Sequence, residues 1–245
     1  VIAHASVSAF GEVRGGAETL LGALLSQVGG LMAPVFTYNT MITPLEGPPD
    51  NGLTYGGGED QNRMAEFYSP AMPADRLMGA FVEALRRHPG AKRSAHPILS
   101  FCGVGVEDAL EAQTLEEPLA PIEALAGRGG WVVLLGVDHT CNTSLHAAEK
   151  RAGRRQFVRW ALTEAGVRAC PGFPGCSNGF EQLAPLVKAI TRTVQIGNAE
   201  VRALPLAPMI EIAAGLIRED PLALLCDSPD CERCQAIRLI SAPTR

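Results

Sequence analysis

The sequence predicts an α/β fold, and three observations support that expectation. Two continuous apolar runs, at 31–37 and 131–137, read as strands buried on both faces. Apolar residues recur at helical spacing over 17–28 and 74–88. At 245 residues the chain can bury a large core. We expect one domain over residues 1–245.

Residues 1–8 read as a short strand, and 9–16 as a loop with three glycines. A strand that runs through a Gly/Ser loop into a helix N-terminus is a ready anion cradle, although an ordinary βα turn gives the same pattern. Residues 38–75 are rich in Pro and Gly and carry Glu46, Asp50, Glu59, Asp60 and Glu66 against Arg63. So long an irregular segment is usually functional or mobile. It reads either as a solvated loop or as an acidic lid over a cationic substrate. Asp75 opens the helix at 74–88, as a cap or facing a cleft. Residues 98–105 read as a strand, and 108–112 and 122–126 as short helices. Further on, 180–191 reads as a helix, 193–204 as two short strands and 208–219 as an amphipathic helix.

The stretch 131–149, WVVLLGVDHTCNTSLHAAE, organises the chain. A buried strand ends at Gly136, polar residues follow, and a helix is expected over 144–157 with Asn142 or Thr143 as N-cap. His146 then falls in the first helical turn, just past the strand's C-terminal edge, where open α/β sheets bind ligands. The positive end of a helix disfavours an imidazolium, so a histidine there is expected to stay neutral and able to accept a proton. Glu149, three residues on, shares its face. It would orient the imidazole or meet a cationic substrate; a solvated helix face has the same spacing.

LLGVDHTCNTSLHAAE resembles the signature of the aminoglycoside 3-N-acetyltransferase family, in which a leucine-glycine strand end leads into an N-T-x-L-H-x-A-E helix start. Three more stretches resemble that family in the same order: HASVSAFG at 4–11 with GGAET at 15–19, LMAPVFT at 31–37, and RSAHPILSF at 93–101. The resemblance implies a mixed central sheet flanked by helices, with 38–75 as an irregular wall of the substrate cleft and the strands after 193 as a small subdomain. It implies acetyl-CoA as cosubstrate, a polycationic aminoglycoside as acceptor, and direct transfer without a covalent enzyme intermediate. His146 would be the general base, aided by Glu149, with His4 positioning the thioester or sharing the proton path. Coenzyme A would lie against Ser6, Ser8, Ala9, Phe10 and Gly11, and against Arg93, Ser94, His96, Ser100 and Phe101. Asp60, Asp75, Glu149 and Glu181 would face the amines of the substrate. Cys141 lies outside the family pattern and reads as packing.

A net charge of −5 without a basic stripe argues against nucleic acid and suits a polycationic ligand. No apolar run approaches the roughly 20 residues of a membrane span. No secretory signal is visible, so the expected location is the cytoplasm. Seven cysteines fit reducing conditions better than a disulfide framework. Four of Cys170, Cys176, Cys226, Cys231 and Cys234 would suffice for a structural zinc. Their spacing departs from a paired C-x-x-C array and the resemblance needs no metal, which favours free thiols near an ordered tail. Three rival readings remain: an acyltransferase for another amine, a metal-dependent hydrolase using Asp138, His139 and His146, and a non-catalytic module built on the cysteine-rich tail. Monomer and homodimer are equally compatible with the sequence.

Overall fold

The computed structural model describes residues 1–241. Its strands, in chain order, are β1 (Ile2–Ala5), β2 (Leu31–Pro34), β3 (Met41–Ile42), β4 (Lys92–Arg93), β5 (Phe101–Val104), β6 (Trp131–Leu135), β7 (Phe157–Thr163), β8 (Gly166–Phe173), β9 (Arg192–Ile196) and β10 (Ala199–Pro205). The helices are α1 (Gly16–Leu25), α2 (Glu59–Met64), α3 (Gly79–Arg87), α4 (Glu107–Glu111), α5 (Ala120–Gly127), α6 (Leu145–Arg151), α7 (Ala184–Val187), α8 (Leu206–Glu219) and α9 (Glu232–Ser241).

The apolar runs place their strands at the centre of the main sheet, whose order is β4-β5-β2-β1-β6-β10-β9. β1 is parallel to β2 and to β6, and the remaining pairings are antiparallel, so the sheet is mixed. The period of two along each strand sorts side chains between two cores. Ile2, Val132 and Leu134 pack with α5, α6 and α8 on one face. Ala3, Leu31 and Ala33 pack with α1 and α3 on the other. His4 lies two residues beyond Ile2 and opposite Leu134, so it shares the face covered by α6. A second, antiparallel sheet, β3-β7-β8, carries the irregular 38–75 lobe. There Asn51 accepts from Val158 N at 2.8 Å, and Arg159 donates to the carbonyls of Asn51 and Gly52.

Several sequence expectations are corrected. The helix expected over 74–88 breaks into a 3-10 turn at Arg76–Met78 and α3, because Gly79 adopts φ 83° between them. The helix expected over 144–157 ends at Arg151, Gly153 turns the chain at φ 81°, and Phe157 opens a strand. The helix expected over 180–191 is three short pieces, with α7 between two 3-10 turns. The strands at 193–204 form no subdomain. β10 pairs along the whole of β6, from Val201 opposite Leu135 to Pro205 opposite Trp131, and brings β9 with it. No helix among the described residues is long and apolar enough to cross a membrane.

Candidate active site

β6 delivers the chain to the site through Gly136, at φ 67°, where a Cβ would lie 2.5 Å from that of Ala9. Only glycine tolerates both the backbone angle and the contact. Asp138 then caps a 3-10 turn at His139–Cys141, its Oδ1 accepting from Thr140 N at 2.9 Å. Asn142 Oδ1 accepts from Ser144 N at 3.1 Å, and α6 begins at the next residue. This sequence of caps puts His146 in the first turn of α6, immediately past the end of β6.

His146 Nδ1 lies 2.6 Å from Glu149 Oε2, and Arg154 Nη1 donates to Glu149 Oε1 at 2.8 Å. Arg154 is anchored in turn by the carbonyls of Pro221 and Ala223, at 2.8 and 2.6 Å. Glu149 is 0% exposed. Burial alone would raise its carboxyl. The hydrogen bond and charge of His146, followed by those of Arg154, outweigh burial and hold it below the ordinary carboxylate value. An ionised carboxylate only accepts, so Nδ1 is the donor, and in the neutral imidazole Nε2 is left with the lone pair. The ring also packs against Phe180, with centroids 4.8 Å apart.

His146 lines a cavity of 900 Å³ together with His4, Ser6, Ser8, Tyr38 and Arg233. His4 is buried, and among the described residues its Nε2 has no hydrogen-bond partner. Burial, reinforced by the charges of His139 and His146, lowers its pKa to about 3, so it is a neutral ring at ordinary pH. Ser6 and Ser8 hydroxyls lie 3.2 Å apart on the cavity wall.

Other expected site residues lie elsewhere. Ala9 faces a shallow depression beside Gly136 and Asn198. Phe10 is buried in the core shared with α1 and α3, and Gly11 turns the chain at φ 83°. Arg93 is expected to lie against coenzyme A, but its guanidinium donates to the carbonyls of Val35, Pro70 and Met72 and to Ser100 Oγ. Ser94 Oγ accepts from Phe101 N at 2.8 Å, Ser100 Oγ donates to Val35 O, and Phe101 packs edge-on against Phe36. His96 lines a different cavity, of 430 Å³, with Tyr68, Gln113 and Arg168. Its Nδ1 accepts from the backbone N–H groups of Ile98 and Leu99, and burial lowers its pKa to about 4.

The acidic expectations also change. Both Glu149 oxygens are occupied, by His146 and Arg154, and the residue is sealed from solvent. Asp60 is exposed beside Arg63, and Asp75 caps a turn through Leu77 N at 2.9 Å. Glu181 accepts from His139 N at 2.8 Å and pairs with Arg202 at 2.7 Å. Of the 38–75 lobe, Tyr38 reaches the large cavity, and its acidic residues do not. The lobe is therefore not an acidic lid over that cavity. The metal set Asp138, His139, His146 does not converge. Asp138 caps its own turn, the His139 ring meets Asn142, and the His146 ring meets Glu149. Among the described residues one group of thiols does converge: Cys176, Cys226, Cys231 and Cys234. Cys170 stands apart, directed at Arg168 O.

The sequence reading missed Arg154 and Arg233. Arg154 lies five residues past Glu149 and beyond the end of α6, so helical spacing gives no signal for the pair. Arg233 reaches the cavity from α9, where it donates to Gly175 O at 2.9 Å.

The aminoglycoside 3-N-acetyltransferase family matches residues 2–218. Aminoglycoside N(3)-acetyltransferase VII of Streptomyces paromomycinus is 37% identical over 164 residues, which cover 62% of this chain and 54% of that protein. Aminoglycoside N(3)-acetyltransferase IX of Micromonospora chalcea is 36% identical over 65% of this chain and 59% of its own length. The matched region thus spans little more than half the length of these relatives. The crystal structure of the YokD protein from Bacillus subtilis superposes with a TM-score of 0.77 at 27% identity, covering 90% of this chain and 87% of that one. With the match running from β1 to the end of α8, the chain belongs to the aminoglycoside 3-N-acetyltransferase family.

Proposed function

We propose that the chain transfers an acetyl group from acetyl-CoA to an amine of an aminoglycoside, at the 3-N position by family resemblance, in one ternary complex. The observation that supports this reading best is the Arg154–Glu149–His146 relay ending on the 900 Å³ cavity. An aminoglycoside amine is largely protonated near neutral pH, and only its free form attacks a carbonyl, so a base must take a proton before or during attack. His146 Nε2 takes it while Glu149 stabilises the ring from the far side. The new N–C bond forms, the C–S bond breaks, and the proton leaves on the coenzyme A thiol. The thioester oxygen gains charge on the way and needs donors. The hydroxyls of Ser6 and Ser8, on the same cavity wall, are suited to that role. His4, neutral and facing the same space, positions the thioester.

A second reading keeps the chemistry and changes the acceptor. None of Asp60, Asp75, Glu149 or Glu181 lines the cavity, whereas Arg233 does. That lining suits an acceptor less cationic than an aminoglycoside. Thiol release from acetyl-CoA, measured against a panel of aminoglycosides and simple amines, tests both. Aminoglycoside-dependent release supports the first reading. Release with simple amines alone supports the second, and release with neither overturns both.

A further inference from the structure

The motif that the proposed chemistry leaves unused is the cysteine cluster. Cys176 leaves β8 through a short loop, Cys226 follows α8, Cys231 precedes α9 and Cys234 lies in its first turn. Fifty residues of sequence separate Cys176 from Cys226, yet all four Sγ atoms lie within 4.8 Å of one another. A zinc ion bound by thiolates has Zn–S bonds of about 2.3 Å, which sets the edges of a sulfur tetrahedron at about 3.8 Å. The Cys226–Cys234 edge is 3.5 Å. A disulfide would need two sulfurs at about 2 Å and would leave the other pair without purpose; all seven cysteines are free. The surroundings fit a bound dication as well. Asn178 N donates to Cys176 Sγ at 3.5 Å, and Arg238 holds the Cys226 carbonyl.

We propose that Cys176, Cys226, Cys231 and Cys234 bind a structural zinc ion that fastens the C-terminal segment to the active-site wall. The site is structural because four protein sulfurs complete a tetrahedron and leave no open position. The sulfurs themselves lie off the cavity, and their chain neighbours line it: Gly175, Ser177 and Arg233. Gly175 lies against the Glu149 carboxylate, and Arg233 bonds back to Gly175. Metal at the cluster therefore fixes Arg233 in the wall and seats the loop that backs Glu149. Each bound Zn²⁺ displaces the thiol protons to solvent, leaving four thiolates around one dication.

This proposal does not rest on the acetyl-transfer reading, and its test needs no substrate. The full chain is purified in reducing buffer free of chelators and analysed by elemental mass spectrometry. We expect about one zinc per chain; less than about 0.2 per chain overturns the site, because four-thiolate sites bind tightly. Thiol titration in denaturant gives a second readout. Five reactive thiols without reductant reveal a disulfide and overturn the site; seven, together with about one zinc per chain, support it. Cys231→Ser and Cys234→Ser should each reduce zinc to below about 0.2 per chain, and Cys170→Ala should leave it near one. Should the serine variants fail to fold, cobalt exchanged into the unaltered chain decides. Intense visible bands with thiolate charge transfer support four-sulfur coordination, and weak octahedral absorption overturns it.

Discussion

Two buried histidines, in two cavities, face opposite futures because of what meets their Nδ1 atoms. His146 meets a carboxylate, Glu149, so Nδ1 is the donor, and in the neutral ring Nε2 keeps the lone pair on a side chain that lines the large cavity. His96 meets two backbone N–H groups, from Ile98 and Leu99, so Nδ1 is itself the acceptor and Nε2 holds the proton. In the proposed reaction the first ring takes a proton from the acceptor amine. The second is a turn fastener whose remaining nitrogen can only donate. Burial and residue type are similar, and the partner decides the tautomer.

The comparison is broken most directly by alanine at each ring. His146→Ala should lower kcat by about 10²- to 10⁴-fold, the usual worth of a positioned base, and also lower stability, because it strips a partner from buried Glu149. His96→Ala should cost stability alone. Two backbone donors lose an acceptor at about 1 kcal/mol each, so stability falls by about 2 kcal/mol while kcat holds within a few-fold. Equal kcat losses in the two variants would erase the distinction.

Arg154→Met comes next. It leaves Glu149 buried with one oxygen unpaired by a cation, a loss of about 3–5 kcal/mol for a sealed ion pair, read by chemical denaturation. Glu149→Gln in the same background should restore part of that stability without restoring turnover. A fully active double variant would show that the relay does not orient His146.

A smaller effect concerns pH. His4 and His96 are neutral in the fold, with pKa values near 3 and 4 against an ordinary 6.5. The unfolded chain therefore binds protons that the native chain refuses below pH 6.5. Their contribution to stability is complete above 6.5 and declines as pH falls toward 3 to 4. Thermal melts between pH 7 and 4 should show this slope, and His4→Gln should flatten it. A His4→Gln melt that tracks the native slope would mean that the ring is protonated in the fold. Smallest of all, Cys141→Ala should leave turnover nearly unchanged, since direct transfer needs no thiol nucleophile. Abolished turnover would point to a covalent intermediate.

The parts of the site that the sequence revealed were those set by local spacing. The apolar run into Gly136, and His146 and Glu149 three residues apart after it, need only the helix and strand periods. What escaped depends on long-range partners. Arg93 shows five donors in sequence, but not that backbone and side-chain acceptors already occupy four of them. β10 pairs with β6 across an intervening hairpin and helices, which no local pattern encodes. Glu181 and Asp75 look free in sequence because the groups they cap are backbone N–H, present at nearly every residue. The four clustered cysteines are distant in sequence and adjacent in space, and Arg154 lies past the end of α6, outside helical spacing.

Gly175 has one more consequence. A methyl group placed there would sit 3.2 Å from Glu149 Oε1 and 3.3 Å from Oε2, slightly too close for comfort. That carboxylate cannot swing aside, since the arginine behind it and the imidazole before it hold both oxygens. Crowding would be passed straight into the tilt of the ring. Position 175 is thus a tuning screw: a side chain there would re-aim the imidazole by way of the carboxylate.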